Sequence, residues 1–283
     1  MALYSISLCA GGAGLDLGLD LACPGAFTPV LYVEREAYAA AVLAARMEDE
    51  TLAAAPVWSE VRTLGSAEVC DYLREATGGC GPEFVFGGIP CQPHSVAGRQ
   101  AGANDKRDLW PATADFIAAW PSISLVFIEN VPGMLTTGGA ERIVRDLETM
   151  GYEVAAGLFT AAEVGATQKR NRLFIMASTG SLGRWQGAKE PKTLRAVHQD
   201  TRNINFTDRP SNEGLSDFPP GPADLDAWRE VLGIDPSLEP AICRMADGMA
   251  PRVDRLRMLG NGVVPLQAAY AFLCLWVAMM EKE

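Results

Sequence analysis

Short apolar runs alternate with helix-periodic stretches over the first 177 residues, and this alternation limits the possible folds more than any other feature. Leu3–Cys9, Thr28–Val33, Glu83–Phe86, Ser124–Ile128, Glu153–Phe159 and Arg172–Ala177 are short and dominated by apolar side chains, with several β-branched and aromatic residues. That is the pattern of buried strands. Between them, helices are predicted from about Leu15 and over Glu36–Met47, Ala67–Thr77, Leu109–Trp120 and Ala140–Met150. Strands that alternate with helices in this way predict an α/β fold, a doubly wound and mostly parallel sheet. After Ser178 the pattern fails. Residues 178–250 are rich in Gly, Pro, Asn, Asp and Arg and carry little periodicity, which predicts a second domain. The first domain then comprises residues 1–177 and 251–283. Its last apolar run, Ala268–Met280, is too short to span a bilayer and is expected to be a helix packed on the core.

Composition narrows the function classes. The seven cysteines are scattered, none forms a Cys-x-x-Cys pair, and there are only two histidines, so no metal site is expected. An odd, scattered set of cysteines in an α/β pattern fits a reducing compartment. No basic leader precedes the first strand, so no signal peptide is expected. Together these predict a cytoplasmic protein. The net charge of −11 argues at first against a polyanion partner, but its distribution argues for one. From Gln168 to Arg209 there are nine basic and three acidic residues, a local charge of +6 that leaves −17 for the rest. Such asymmetry predicts a polyanion-binding face on an acidic protein.

Five segments carry candidate chemistry. The first strand ends in Cys9-Ala10-Gly11-Gly12-Ala13-Gly14-Leu15, whose small residues let a ligand approach a helix N-terminus. Glu34 closes the second strand, where an acid suits ribose hydroxyls. No Gly-Lys-Ser/Thr follows the glycines, so the turn is not a P-loop. Gly87-Gly88-Ile89-Pro90-Cys91-Gln92 puts a thiol just past a strand end, where α/β sheets bind ligands, and makes Cys91 a candidate nucleophile. Glu129-Asn130 closes the strand before Val131-Pro132, a costly placement unless the polar groups are bound or exposed. Gln168-Lys169-Arg170-Asn171-Arg172 puts two arginines on one face of a strand. Gly260-Asn261-Gly262-Val263 is a tight turn before the last helix.

In this order, Pro-Cys-Gln, Glu-Asn-Val, Gln-x-Arg-x-Arg and Gly-Asn-x-Val resemble the motif set of the DNA cytosine-5 methyltransferase family, over about residues 3–177 and 251–281. The resemblance implies a Rossmann-like, S-adenosylmethionine-dependent methyltransferase fold, with residues 178–250 as a small target-recognition domain. It implies S-adenosylmethionine as cofactor, S-adenosylhomocysteine as product, and no metal. By motif match, Cys9, Ala10, Gly11, Gly12, Gly14 and Leu15 would wrap the methionine part. Glu34 and its neighbour Arg35 would meet the ribose, and Glu60 and Val61 would flank the adenine. Gly88, Pro90 and Leu109 would line the same pocket, closed by Asn261 and Val263. The family usually has Phe and Gly where this chain has Cys9 and Ala13, and Asp where it has Glu60.

The resemblance also implies the roles in catalysis. Cys91 would add to C6 of a cytosine, Glu129 would act at N3, Arg172 at O2, and Arg170 would support them or hold a phosphate. The target base must leave the stack, so double-stranded DNA is the expected partner. Gln92, Ser95, Arg99 and Gln168 are expected near the DNA, with Arg184, Lys192, Arg195, Arg202 and Asn203 as candidate contacts in the recognition domain. A monomer is expected, without membrane association, and a separate restriction endonuclease is compatible with the reading. Two alternatives stay open: an RNA substrate, and a binding module without catalysis. The Cys-Phe-Thr element of the relative that acts on transfer RNA is missing from this sequence.

Overall fold

The structure is a computed structural model that describes residues 2–90, 108–180, 218, 220, 224–234, 258 and 260–280. Seven strands form one sheet: β1 (Leu3–Leu8), β2 (Phe27–Val33), β3 (Val57–Trp58), β4 (Phe84–Gly88), β5 (Leu125–Asn130), β6 (Glu153–Thr160) and β7 (Asn171–Ser178). Their order is β3-β2-β1-β4-β5-β7-β6. The pairings among β1 to β5 are parallel, while β7 runs antiparallel to both β5 and β6. The sheet is therefore mostly parallel, as the alternation predicts. The strand order reverses between β1 and β4, which is where α/β sheets open a crevice for ligands.

The helices follow the expected ranges closely. They are α1 (Gly14–Ala22), α2 (Ala37–Glu48), α3 (Ala67–Ala76), α4 (Trp110–Ala119), α5 (Gly139–Thr149), α6 (Leu225–Ile234) and α7 (Pro265–Met280). Local chemistry sets several starts. Ser66 caps α3 by accepting the Val69 N–H at 3.4 Å. Pro265 opens α7, where a missing N–H costs nothing, so this helix begins three residues before the apolar run. Two elements fall outside the sequence expectations. Strand β3 is only two residues long, too short for a periodicity signal. Helix α6 lies in the 178–250 interval, whose sequence carries little periodicity; its first turn is capped by Asp224 Oδ1, which accepts the Ala227 N–H at 3.2 Å.

Each face of the sheet has its own core. One is aliphatic: Ile6, Val85, Val126, Ile128 and Ile175 pack against Val69 and Leu73 of α3, Phe116 and Ile117 of α4, and Ile143 and Leu147 of α5. The other is aromatic: Phe84, Phe86, Phe127 and Phe174 meet α1 and α7. Phe127 stacks on Phe174 at 5.4 Å and meets Phe272 of α7 edge-on at 5.3 Å. Ring pairs of this kind add about 0.5–1.5 kcal/mol each beyond burial. Period-two alternation along β5 and β7 puts Glu129 on the face of Phe127, and Arg172 on the face of Phe174.

Helices α1 and α7 touch through backbone. A Cβ on Gly18 would lie 2.6 Å from the Pro265 carbonyl oxygen and 2.8 Å from the Ala268 Cβ. Backbone cannot swing aside, so the helices would have to separate. Gly18→Ala is expected to cost about 1–3 kcal/mol. Urea denaturation should show a lower midpoint with an unchanged slope.

Candidate active site

The C-terminal ends of β1 to β5 share one edge of the sheet. Because β7 is reversed, its first residues arrive at that edge too, and β6 ends there. The glycine turn, Glu34, Gly88, Glu129, Arg170 and Arg172 are thus gathered by topology from positions far apart in the chain.

The turn after β1 is held from two sides. Glu34 is buried, with its Oε2 accepting the Gly11 N–H at 2.8 Å and its Oε1 accepting the Glu36 N–H at 2.7 Å. From the other side, Arg46 Nη1 donates to the Gly12 carbonyl at 2.6 Å. Cys9, Gly11 and Ala13 all adopt positive φ, at 52°, 56° and 60°. For the two non-glycine residues this costs about 1–2 kcal/mol each. A glycine at position 13 would adopt this conformation without that cost. Beneath the turn, Ser7 Oγ donates to Asp16 Oδ2 at 3.0 Å. Burial pushes the Asp16 carboxyl up to about 6 against that hydrogen bond. The surroundings of Cys9 disfavour its thiolate. Burial, then the Glu34 and Glu60 carboxylates, push its thiol up to about 12.

The C-terminal segment closes over this turn. A Cβ on Gly14 would lie 2.9 Å from the Val263 carbonyl oxygen, and one on Gly12 would lie 3.7 Å from Met258 Sδ. Gly11, Gly12, Gly14, Glu34 and Val263 are therefore neighbours. Asn261 and Arg35 are exposed, and Leu15 is buried in the aromatic core. Glu60 is turned toward Arg62, accepting from its Nη1 at 3.1 Å, and Val61 is buried in the aliphatic core. Leu109 packs partly against that core, and Pro90 is exposed.

The second half of the edge carries the acid. Glu129 sits beside Gly88 in register, and a Cβ on Gly88 would lie 3.0 Å from its Oε2. Glu129 Oε1 pairs with Arg172 Nε at 2.7 Å. Burial pushes the Glu129 carboxyl above the usual carboxylate range, with the Arg172 and Arg170 guanidiniums pulling the other way. Next to it, buried Asn130 donates from Nδ2 to the Ile89 carbonyl at 3.0 Å and accepts the Val131 N–H at 2.9 Å. It thereby fastens the backbone two residues before position 91. Arg170 Nη2 donates to the carbonyls of Gly260 (3.0 Å) and Gly262. Gln168 is exposed on the turn before β7. Cys91, Gln92, Ser95, Arg99, Arg184, Lys192, Arg195, Arg202 and Asn203 lie outside the described residues.

Some residues of this edge were not expected from sequence. Arg46 is one; nothing in an alanine-rich helix marks it as a partner of a turn 34 positions away. Gln267 is another. Its signal is visible afterwards as the one amide in a sixteen-residue apolar helix.

Comparisons with known proteins identify the family. The description "C-5 cytosine-specific DNA methylase" matches residues 3–213. The type II methyltransferase M.AplI of Arthrospira platensis is 35% identical over 177 residues, covering 62% of this chain and 45% of its own length. M.NgoMIV of Neisseria gonorrhoeae, also a type II methyltransferase, is 29% identical over 213 residues, covering 72% and 62%. The chain thus spans about half the length of these curated relatives. A crystal structure whose title reads "putative DNA modification methyltransferase", from an E. coli prophage, has a TM-score of 0.50 at 22% identity, over 64% of this chain and 48% of that one. At that identity the likeness concerns fold alone, here the methyltransferase fold. The match over most of its length places this chain in the C-5 cytosine-specific DNA methylase family.

Proposed function

We propose that this chain transfers a methyl group from S-adenosylmethionine to C5 of a flipped-out cytosine in duplex DNA, through a covalent bond between Cys91 and C6. The observation that carries the reading is the buried Glu129. It is paired to Arg172 at 2.7 Å and lies in register with the glycine that leads to Cys91.

The cofactor residues fit the group. Glu34 uses two of the four acceptor positions of its carboxylate on Gly11 and Glu36, leaving two for ribose hydroxyls. The turn from Cys9 to Gly14 presents backbone rather than side chain, and a Cβ on Gly14 would press on Val263. Bound there, S-adenosylmethionine supplies an electrophilic methyl on a sulfonium.

Cytosine C5 is a poor nucleophile. The Cys91 thiolate adds to C6, and the ring electrons move so that C5 becomes nucleophilic. Glu129, whose carboxyl burial raises above the usual carboxylate range, shares a proton with N3 and stabilises the charge that develops there. Arg172, on the same face, contacts O2. After C5 has gained the methyl, a base takes the C5 proton, the C5–C6 double bond re-forms and Cys91 leaves. Residues 178–250 serve target recognition, and the basic stretch from Gln168 to Arg209 faces the DNA backbone.

The test is transfer of labelled methyl to mixed-sequence duplex DNA, mapped by bisulfite sequencing. Label at C5 within one sequence word is the expected result. No label on DNA, with cofactor binding demonstrated by calorimetry, overturns the reading in favour of RNA or of binding alone.

A further inference from the structure

Helix α7 is apolar along its length except at Gln267, which is fully buried. Its Nε2 donates to two carbonyls, those of Phe159 and Arg170, both at 2.8 Å. Phe159 is the register partner of Arg172. One amide from the last helix therefore stitches β6 to the start of β7 at the level where Arg172 leaves the sheet. The Arg170 side chain is tied to the same C-terminal segment through Gly260 and Gly262. Backbone and guanidinium of Arg170 are both anchored there.

The arrangement leaves two polar atoms behind. Among the described residues, Gln267 Oε1 and Arg170 Nε are buried without a hydrogen-bond partner. An unpaired buried polar group costs about 1–3 kcal/mol. Packing alone would favour an apolar residue of the same length at position 267. The cost is offset by what Nε2 holds.

We propose that Gln267 is a positioning residue for catalysis: by fixing the Phe159 and Arg170 carbonyls, it aims Arg172 at Glu129. The proposal rests on the methyltransferase reading above. It adds a residue that touches neither cytosine nor cofactor but sets the geometry of the group at O2. Arg172 is only two residues beyond Arg170, and its Nε reaches Glu129 Oε1 at 2.7 Å. Slack at Arg170 therefore passes directly into that pair.

Gln267→Met keeps length and removes both donors. The expected result is a fall in kcat of about 10- to 100-fold, because misplacement by about an ångström costs that much. The KM for S-adenosylmethionine should change less than kcat, since Gln267 holds the Arg170 backbone while the guanidinium keeps its own hold on Gly260 and Gly262. The deciding measurement is the same substitution in an Arg172→Lys background. A residue acting through Arg172 has little left to lose there, so the second fall in kcat should be under about threefold. Equal falls in the two backgrounds, or a lower melting temperature with an unchanged kcat, would overturn the proposal and leave Gln267 a packing residue. If Gln267→Met does not fold by circular dichroism, Gln267→His, which keeps one ring donor, replaces it in the cycle. Failure of the methyltransferase reading is distinguishable, since the wild-type chain would then transfer no methyl in the same assay.

Discussion

Exchanging Cys91 for serine is expected to lower methyl transfer to DNA by on the order of 10⁴-fold or more, the scale at which enzymes lose rate with their nucleophile. Cofactor binding and thermal stability should be retained. The reason is chemical: a thiol ionises within reach of neutral pH and its thiolate is intrinsically nucleophilic, whereas a hydroxyl needs a base to do the same work. The surroundings of three other thiols sharpen the contrast. Burial pushes Cys9 and Cys23 up to about 12 and raises Cys274, which disfavours their thiolates. Position 91 follows the end of β4, where backbone held by Asn130 passes the acid on β5. Single-turnover transfer with excess enzyme would measure the loss, with calorimetry of S-adenosylhomocysteine as the control. A Cys91→Ser variant within tenfold of wild type would rule out the covalent step.

Much of this edge was legible in the sequence because it is local. A strand that ends in small residues announces a ligand turn. Glu34 and Glu129 announce themselves as acids closing apolar strands, where an unpaired charge would be too costly to keep. The reversal of β7 was not legible, and it matters most. Only an antiparallel β7 brings Arg172 opposite Phe159 on one side and beside Glu129 on the other. Long-range polar contacts were equally silent. Arg46 meets Gly12 across 34 residues, and Gln267 meets Phe159 and Arg170 across about a hundred. Periodicity reports which face of an element is apolar, but not which carbonyl a buried amide will find. The backbone strain at Cys9 and Ala13 was hidden for the same reason, since the sequence places residues in a turn without stating the sign of φ.

Glu129→Gln isolates the second large effect, and kcat should fall by about 10²- to 10⁴-fold, the usual span for a positioned proton donor. Glutamine is isosteric and can still accept from Arg172, so the fold is expected to persist. What disappears is a proton that can be shared with N3 as charge develops on the ring. The pH dependence carries the sign. Burial raises the Glu129 carboxyl above its ordinary range in spite of Arg172 and Arg170. The protonated, active form therefore survives to higher pH than an exposed glutamate would allow, and activity falls as pH rises through the raised value. On the other limb activity rises with pH as Cys91 ionises, so wild-type kcat should trace a bell. In Glu129→Gln the alkaline limb should vanish and the residual rate should rise to a plateau. Loss of rate with the bell intact would show that another group donates to the ring, and that Glu129 serves only to hold Arg172.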